Sequence, residues 1–151
     1  MLQAEKRYTA PRALQGIGKF PIFFAMQTTK RVLVVEDDDD IRGSLMDALE
    51  DHGVKTWAAR NGREALDLLV RAPELPGLIV LDYMMPVMDG AQFLAAQRQD
   101  ARLETIPVAL ISASAQYLAA ESGRVAHVLK KPIDLDALLN LARRYCEPSD
   151  V

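Results

Sequence analysis

Residues Leu78–Gly90 read Leu-Ile-Val-Leu-Asp-Tyr-Met-Met-Pro-Val-Met-Asp-Gly. Four apolar residues, Leu78-Ile79-Val80-Leu81, run on without polar alternation. That is the pattern of a strand buried on both faces of a sheet. The run stops on a carboxylate, Asp82. A loop, Tyr83–Met88, leads to Asp89-Gly90 and a helix through about Arg98, with Asp89 as its N-cap. A buried strand that ends on an acid and turns into a helix is the βα unit of a parallel sheet.

The same unit recurs on both sides. Upstream, Val32-Leu33-Val34-Val35 is a second buried run, and it ends on the acidic stretch Glu36 to Asp40. Ile41, Leu45, Ala48 and Leu49 then recur at helical spacing, with Asp38 or Asp39 available as N-cap and Gly53 as the stop. Val54–Ala59 is a weaker strand, Asn61-Gly62 turns the chain, and Ala65, Leu66, Leu69 and Val70 mark a helix closed by Pro73 and Pro76. Downstream, Pro107–Ile111 is a strand ending at Ser112, and Ser114–Ser122 is a short helix. Val125–Leu129 is a strand ending at Lys130-Lys131-Pro132, and Ile133, Leu138, Leu141, Ala142 and Tyr145 build a last helix. Five strands alternating with five helices predict an α/β, doubly wound, five-stranded parallel sheet of flavodoxin-like order 2-1-3-4-5, with helices on both faces.

Composition agrees with one such domain. The chain has 151 residues, 50% hydrophobic and 26% charged, enough to fill a single core. Eighteen basic against 21 acidic residues give a net charge of −3, so no general basic surface is present for nucleic acid. No stretch reaches the roughly 18 apolar residues of a membrane span. Cys146 is the one cysteine, which excludes an internal disulfide, and a reducing cytoplasm is the expected compartment. His52 and His127 lie too far apart in sequence to suggest a zinc site with it.

Three segments follow: a flexible N-terminal extension at 1–29, the folded domain at 30–147, and a polar tail at 148–151. The extension carries Lys6, Arg7, Arg12 and Lys19, with Pro11, Gly16, Gly18 and Pro21 as breakers. Its apolar run Phe20–Met26 is short and interrupted for a signal peptide, and Met26 is an alternative start. Gly16-Ile17-Gly18-Lys19 lacks the spacing of a phosphate loop. No effector domain is expected after the last helix.

In a doubly wound fold the site lies beyond the carboxyl ends of the strands. There this sequence places Glu36 and Asp37, Asp82, Ser112 and Lys131. Three carboxylates in one place repel unless a cation neutralises them, and an all-oxygen donor set suits Mg²⁺. Lys131 and Ser112 suit an anion that arrives with the metal. Asp82, ending the central strand, is best placed to act as a nucleophile toward phosphorus.

These residues carry a resemblance. Val34-Val35-Glu36-Asp37-Asp38, then Leu81 to Gly90, then Ile111-Ser112-Ala113, then Lys131-Pro132-Ile133 together resemble the response-regulator receiver domain of two-component signalling, over about Lys30 to Arg144. The resemblance implies that Asp82 is phosphorylated by a sensor histidine kinase or phosphotransfer protein. It implies that Asp37 binds Mg²⁺ directly, Glu36 through water, and that Asp82 and the Met84 carbonyl complete the ligands. Ser112 and Lys131 would contact the phosphoryl group, and Pro132 would follow a cis peptide bond. Output would be a contact with an unknown downstream protein, or onward phosphotransfer, through Ala115–Ser122, the fifth strand and the last helix.

The chain departs from the family at Val128, where many receivers carry a Tyr or Phe that swings inward, and at Glu36, where Asp is more frequent. Met84 and Ser114 flank the site without a carboxylate or amide to orient water, so the phosphoaspartate is expected to be long-lived. Two other readings stand beside this one. The same fold could bind a partner without phosphorylation. A phosphohydrolase of the haloacid-dehalogenase type would need a second Asp where Met84 stands. Trp57 and Tyr83 read as packing residues, Tyr83 with a possible hand in partner access. His52, His127 and Cys146 are assigned no role.

Overall fold

The structure, a computed structural model, describes residues 29–147. The expectations for 1–28 and for the tail at 148–151 lie outside the described residues.

The elements follow in strict alternation: β1 Val32–Val35, α1 Asp39–Asp51, β2 Thr56–Ala59, α2 Gly62–Arg71, β3 Leu78–Asp82, α3 Gly90–Arg98, β4 Val108–Ser112, α4 Ala115–Glu121, β5 His127–Lys130 and α5 Leu135–Cys146. All strand pairs are parallel, in the order β2-β1-β3-β4-β5. This is the expected sheet.

Because side chains alternate across a strand, the buried runs serve two cores at once. Leu33, Val35, Ile79, Leu81 and Leu110 face one core with Leu69 of α2, Phe93 of α3 and Leu118 of α4. Val32, Val34, Leu78, Val80, Ala109 and Ile111 face the other, with Leu45 and Leu49 of α1 and Leu138 and Ala142 of α5. Every residue of β1, β3 and β4 is buried, which is why those stretches carry no polar alternation.

Each helix opens on a polar cap that satisfies its free N–H groups. The caps are Asp38, Asn61, Asp89, Ser114 and Asp134. Asp38 is thus the cap of α1 rather than Asp39. Asp89 forms a full capping box with Gln92.

Several boundaries differ from the sequence reading, and β4 begins at Val108 rather than Pro107. Strand β2 begins at Thr56, because the Val54 N–H donates to the Leu49 carbonyl and closes α1. Strand β5 begins at His127, two residues later than expected, and extends to Lys130. Helix α5 begins at Leu135; Ile133 precedes the Asp134 cap and packs in the core that holds Leu138, as a hydrophobic staple does. At the floor of the sheet the Thr29 and Lys30 N–H groups both donate to the Cys146 carbonyl, at 3.0 and 3.2 Å. Among the described residues no helix is long and apolar enough to cross a membrane.

Candidate functional site

The carboxyl ends of β1, β3, β4 and the residue after β5 meet at one rim. Parallel register brings them level. Val35 stands beside Leu81, Asp82 beside Ile111 and Ser112 beside Lys130. Backbone bonds then hold the loops that leave the strands. The Glu36 N–H donates to the Ala59 carbonyl at 3.1 Å, Tyr83 N–H to Ile111 at 3.0 Å and Lys131 N–H to Ser112 at 2.9 Å. Arg42 reaches back from α1 to donate to the Glu36 carbonyl at 3.0 Å and pairs with Asp39 at 2.6 Å, which steadies the acidic turn. The Lys131–Pro132 peptide is cis, as the resemblance implies.

On this frame one carboxylate oxygen each from Glu36, Asp37 and Asp82 lie within 4.8 Å of one another, Glu36 and Asp82 buried and Asp37 exposed. The Lys131 ammonium lies 3.3 Å from an Asp82 oxygen and 3.4 Å from a Glu36 oxygen. Three carboxylates against one ammonium leave two negative charges in a partly dry place. Burial, then the Asp82 charge, push the Glu36 carboxyl from 4.5 up to about 7 against the pull of Lys131. Burial also raises Asp82, although Lys131 opposes it. Burial works against the Lys131 ammonium, but Asp82 and Glu36 hold its pKa above the ordinary lysine value. Burial and the Asp82 charge together favour the protonated Glu36 carboxyl near neutrality. A hard divalent ion would displace that proton and balance the charge, and the oxygen-only donor set fits Mg²⁺.

Ser112 is buried at the same rim, and its Oγ accepts from the Ser114 N–H at 3.0 Å. Because that oxygen is already an acceptor, the Ser112 hydroxyl proton is free to point at an anion. A cavity of about 350 Å³ opens above these groups, and Met84, Ser114 and Tyr117 are among its lining residues. All six residues singled out from sequence, Glu36, Asp37, Asp82, Met84, Ser112 and Lys131, line it together.

The floor of the following loop is equally specified. A Cβ on Gly90 would come within 2.9 Å of the Tyr83 Cα, so the chain closes there only with glycine. The loop turns through Pro86-Val87-Met88, where the Met88 N–H donates to the Pro86 carbonyl at 2.8 Å and Val87 takes φ 70°. A β-branched residue in that region is strained.

Two residues carry more than sequence reading assigns. Asp38 lines the cavity as well as capping α1. Tyr117, not singled out, also lines it, and its ring stacks on Tyr83 with centroids 4.9 Å apart and planes at 21°. The cap at Ser114, three residues earlier, is the one local signal of that placement. Val128 is 40% exposed on β5, so no ring fills the position. His52 caps α1 and its Nδ1–H donates to the Ala48 carbonyl. His127 hydrogen-bonds the Tyr145 hydroxyl at 2.8 Å, and Cys146 is buried. Trp57 packs partly buried against the core beneath the Arg31 guanidinium.

Residues 32–143 match the response regulator receiver domain family. The chain is 40% identical over 127 residues to an uncharacterized 14.6 kDa protein of Leptolyngbya boryana, covering 80% of this chain and 95% of that one. It is 31% identical over 120 residues to sporulation initiation phosphotransferase F of Bacillus subtilis, covering 77% and 93%. Several other curated relatives are longer, and the chain spans about half of their length. Among solved structures, the receiver domain of the Francisella response regulator 1452 superposes with a TM-score of 0.66 at 30% identity, over 76% of this chain and 98% of that one. Fold, rim and relatives agree: the chain belongs to the response-regulator receiver domains of two-component signalling.

Proposed function

We propose that Asp82 is the phosphoacceptor of this receiver, charged by a sensor histidine kinase or a phosphotransfer protein. The observation that carries the reading is the buried Asp82 carboxylate at the end of the central strand, within 4.8 Å of two other carboxylates and 3.3 Å from the Lys131 ammonium. In the transfer an Asp82 oxygen attacks phosphorus, the P–N bond to the donor imidazole breaks, and the imidazole leaves with its electron pair and takes up a proton. The product is an acyl phosphate on Asp82.

Asp37 and Asp82, with the Met84 carbonyl, would hold Mg²⁺ directly, and Glu36 through water. Bound there, Mg²⁺ neutralises charge on the phosphoryl oxygens. Lys131 pairs with the same oxygens as a point charge, and the Ser112 hydroxyl donates to one of them. Output passes to a downstream protein through α4, β5 and α5, where Tyr117 and Val128 are exposed, or onward to a phosphotransfer protein. The cytoplasm is the expected compartment, and the net charge of −3 speaks for neither nucleic acid nor an anionic membrane as a partner. The chain catalyses only its own phosphorylation and dephosphorylation.

Incubation with acetyl phosphate and Mg²⁺, followed by intact mass, tests the reading. The chain should gain one phosphoryl group, and Asp82→Asn should gain none. A wild-type chain that stays unmodified by acetyl phosphate and by a panel of phosphorylated kinases would make it a binding module of the same fold. Met84 and Ser114 at the pocket mouth supply no carboxylate or amide to orient water. The acyl phosphate should therefore persist for minutes or longer. Decay within seconds would contradict this.

A further inference from the structure

Five residues form a path of contacts around the phosphoacceptor pocket. Asp82 is followed by Tyr83, whose ring stacks on Tyr117. The Tyr117 N–H donates to the Ser114 Oγ at 3.3 Å, and the Ser114 N–H donates to the Ser112 Oγ at 3.0 Å. Ser112, one place beyond Ile111, the β4 partner of Asp82, lines the same cavity as Asp82 and so brings the path back to it. Such a path cannot let one member move without breaking or carrying another.

Its members are unequal. Tyr83 is pinned: its N–H donates to Ile111 and its carbonyl accepts from Gly90 at 2.8 Å. Helix α4 has seven residues, and only Leu118 and Glu121 are buried. So the parts free to yield are α4 and its cap, and the aromatic pair joins Leu118 in tying them to the β3 side of the core. On β5 the exposed Val128 offers no ring to do this.

We propose that the Tyr83–Tyr117 stack is the positioning element that couples α4 to Ser112 and Asp82, so that a phosphoryl group on Asp82 and a partner docked on α4 favour or oppose each other through it. An anion on Asp82 draws the Ser112 hydroxyl, the hydrogen bond to Ser114 N–H adjusts, and the cap of α4 shifts against the stack. Linkage makes the effect reciprocal: whatever holds α4 alters the hold on the phosphoryl group by the same factor. The inference rests on Asp82 being the phosphoacceptor.

Hydrogen–deuterium exchange of residues 113–122 in the full chain, with and without beryllofluoride and Mg²⁺, reads the coupling. In the wild type, exchange should change by about tenfold on adding beryllofluoride, the scale of one local opening equilibrium. In Tyr83→Leu and Tyr117→Leu the change should shrink to about twofold or less, as expected for loss of one aromatic pair. Tyr117→Phe, which keeps the ring, should restore it. The ratio between the two states is the readout, because a merely structural loss would raise exchange in both alike. If Tyr83→Leu does not fold, the half-exposed Tyr117→Leu carries the test. A wild-type response retained in the Leu variants, or no response in a wild-type chain that acetyl phosphate does modify, overturns the coupling alone. A wild-type chain that acetyl phosphate leaves unmodified overturns the phosphoacceptor reading, and the coupling with it.

Discussion

The sheet's centre and its β5 edge are built to different standards. Strands β1, β3 and β4 bury every side chain, and α3 opens on a reciprocal capping box. Strand β5 alternates between half-buried and exposed residues, and the seven-residue α4 opens on a single serine cap. Glu36, Asp37 and Asp82 stand on the first side, Lys131 and the α4 face on the second. The difference teaches how a receiver divides its labour. The clustered carboxylates sit on dense packing, and the α4 and β5 surface proposed for output sits where packing is thin.

The sharpest way to break this contrast is to remove a side chain from the dense half. Leu81→Ala should cost about 2–5 kcal/mol in urea unfolding, the range for a cavity in a closed core. A cost near zero would mean that β3 relaxes freely.

Next in size is the strain stored at the rim. Glu36 is raised from 4.5 to about 7 in the metal-free protein. Its folded pKa exceeds its unfolded one, so the unfolded chain binds fewer protons between those values. The stability it contributes is full below pH 4.5 and is lost as pH rises through about 7. Metal-free Glu36→Gln should therefore lose less stability than wild type from pH 5 to pH 8, by an amount on the order of 1–3 kcal/mol. On the proposed reading Mg²⁺ would displace the same proton. Its affinity in wild type should fall as pH drops below about 7, up to tenfold per pH unit, by titration calorimetry.

A smaller effect belongs to the loop that joins the dense half to α3. Val87 takes φ 70° while 78% exposed, so its side chain repays none of that strain by packing. Val87→Asn should stabilise the chain by about 1 kcal/mol, since Asn tolerates the left-handed region. A loss of stability would show that Val87 is held by a contact outside the turn. Smallest of all, Val128→Ala on β5 should shift stability by less than about 0.5 kcal/mol, the usual range for exposed positions. A cost near that of Leu81→Ala would erase the contrast between the halves.

The same division explains what could be read from sequence. Leu78–Asp82 and Val32–Glu36 announce themselves because burial on both faces leaves a run with no polar residue until the strand ends. The rule that sites lie beyond those ends then collects Glu36, Asp37, Asp82, Ser112 and Lys131 from the sequence alone. The edges of the sheet are less legible. Val54 and Val125 look like strand residues but lie before β2 and β5, because backbone bonds at the helix end and the loop, not side-chain type, decide where pairing begins. Tyr117 sits in a helix of two turns, too short for its period to show a face. Its neighbour in space, Tyr83, is 34 residues away along the chain, and no spacing rule links them.

The shared carbonyl of Cys146, which takes the amides of Thr29 and Lys30, has a consequence of its own. Entry and exit of the folded unit are sewn together on the floor, a full strand length (roughly 15 Å) below the acidic rim. A unit so closed can be spliced into a longer polypeptide or rejoined end to end without stretching any strand. Whatever is tethered there hangs away from the chemistry, so tension on the seam is borne by β1 and α5 before it can reach Asp82.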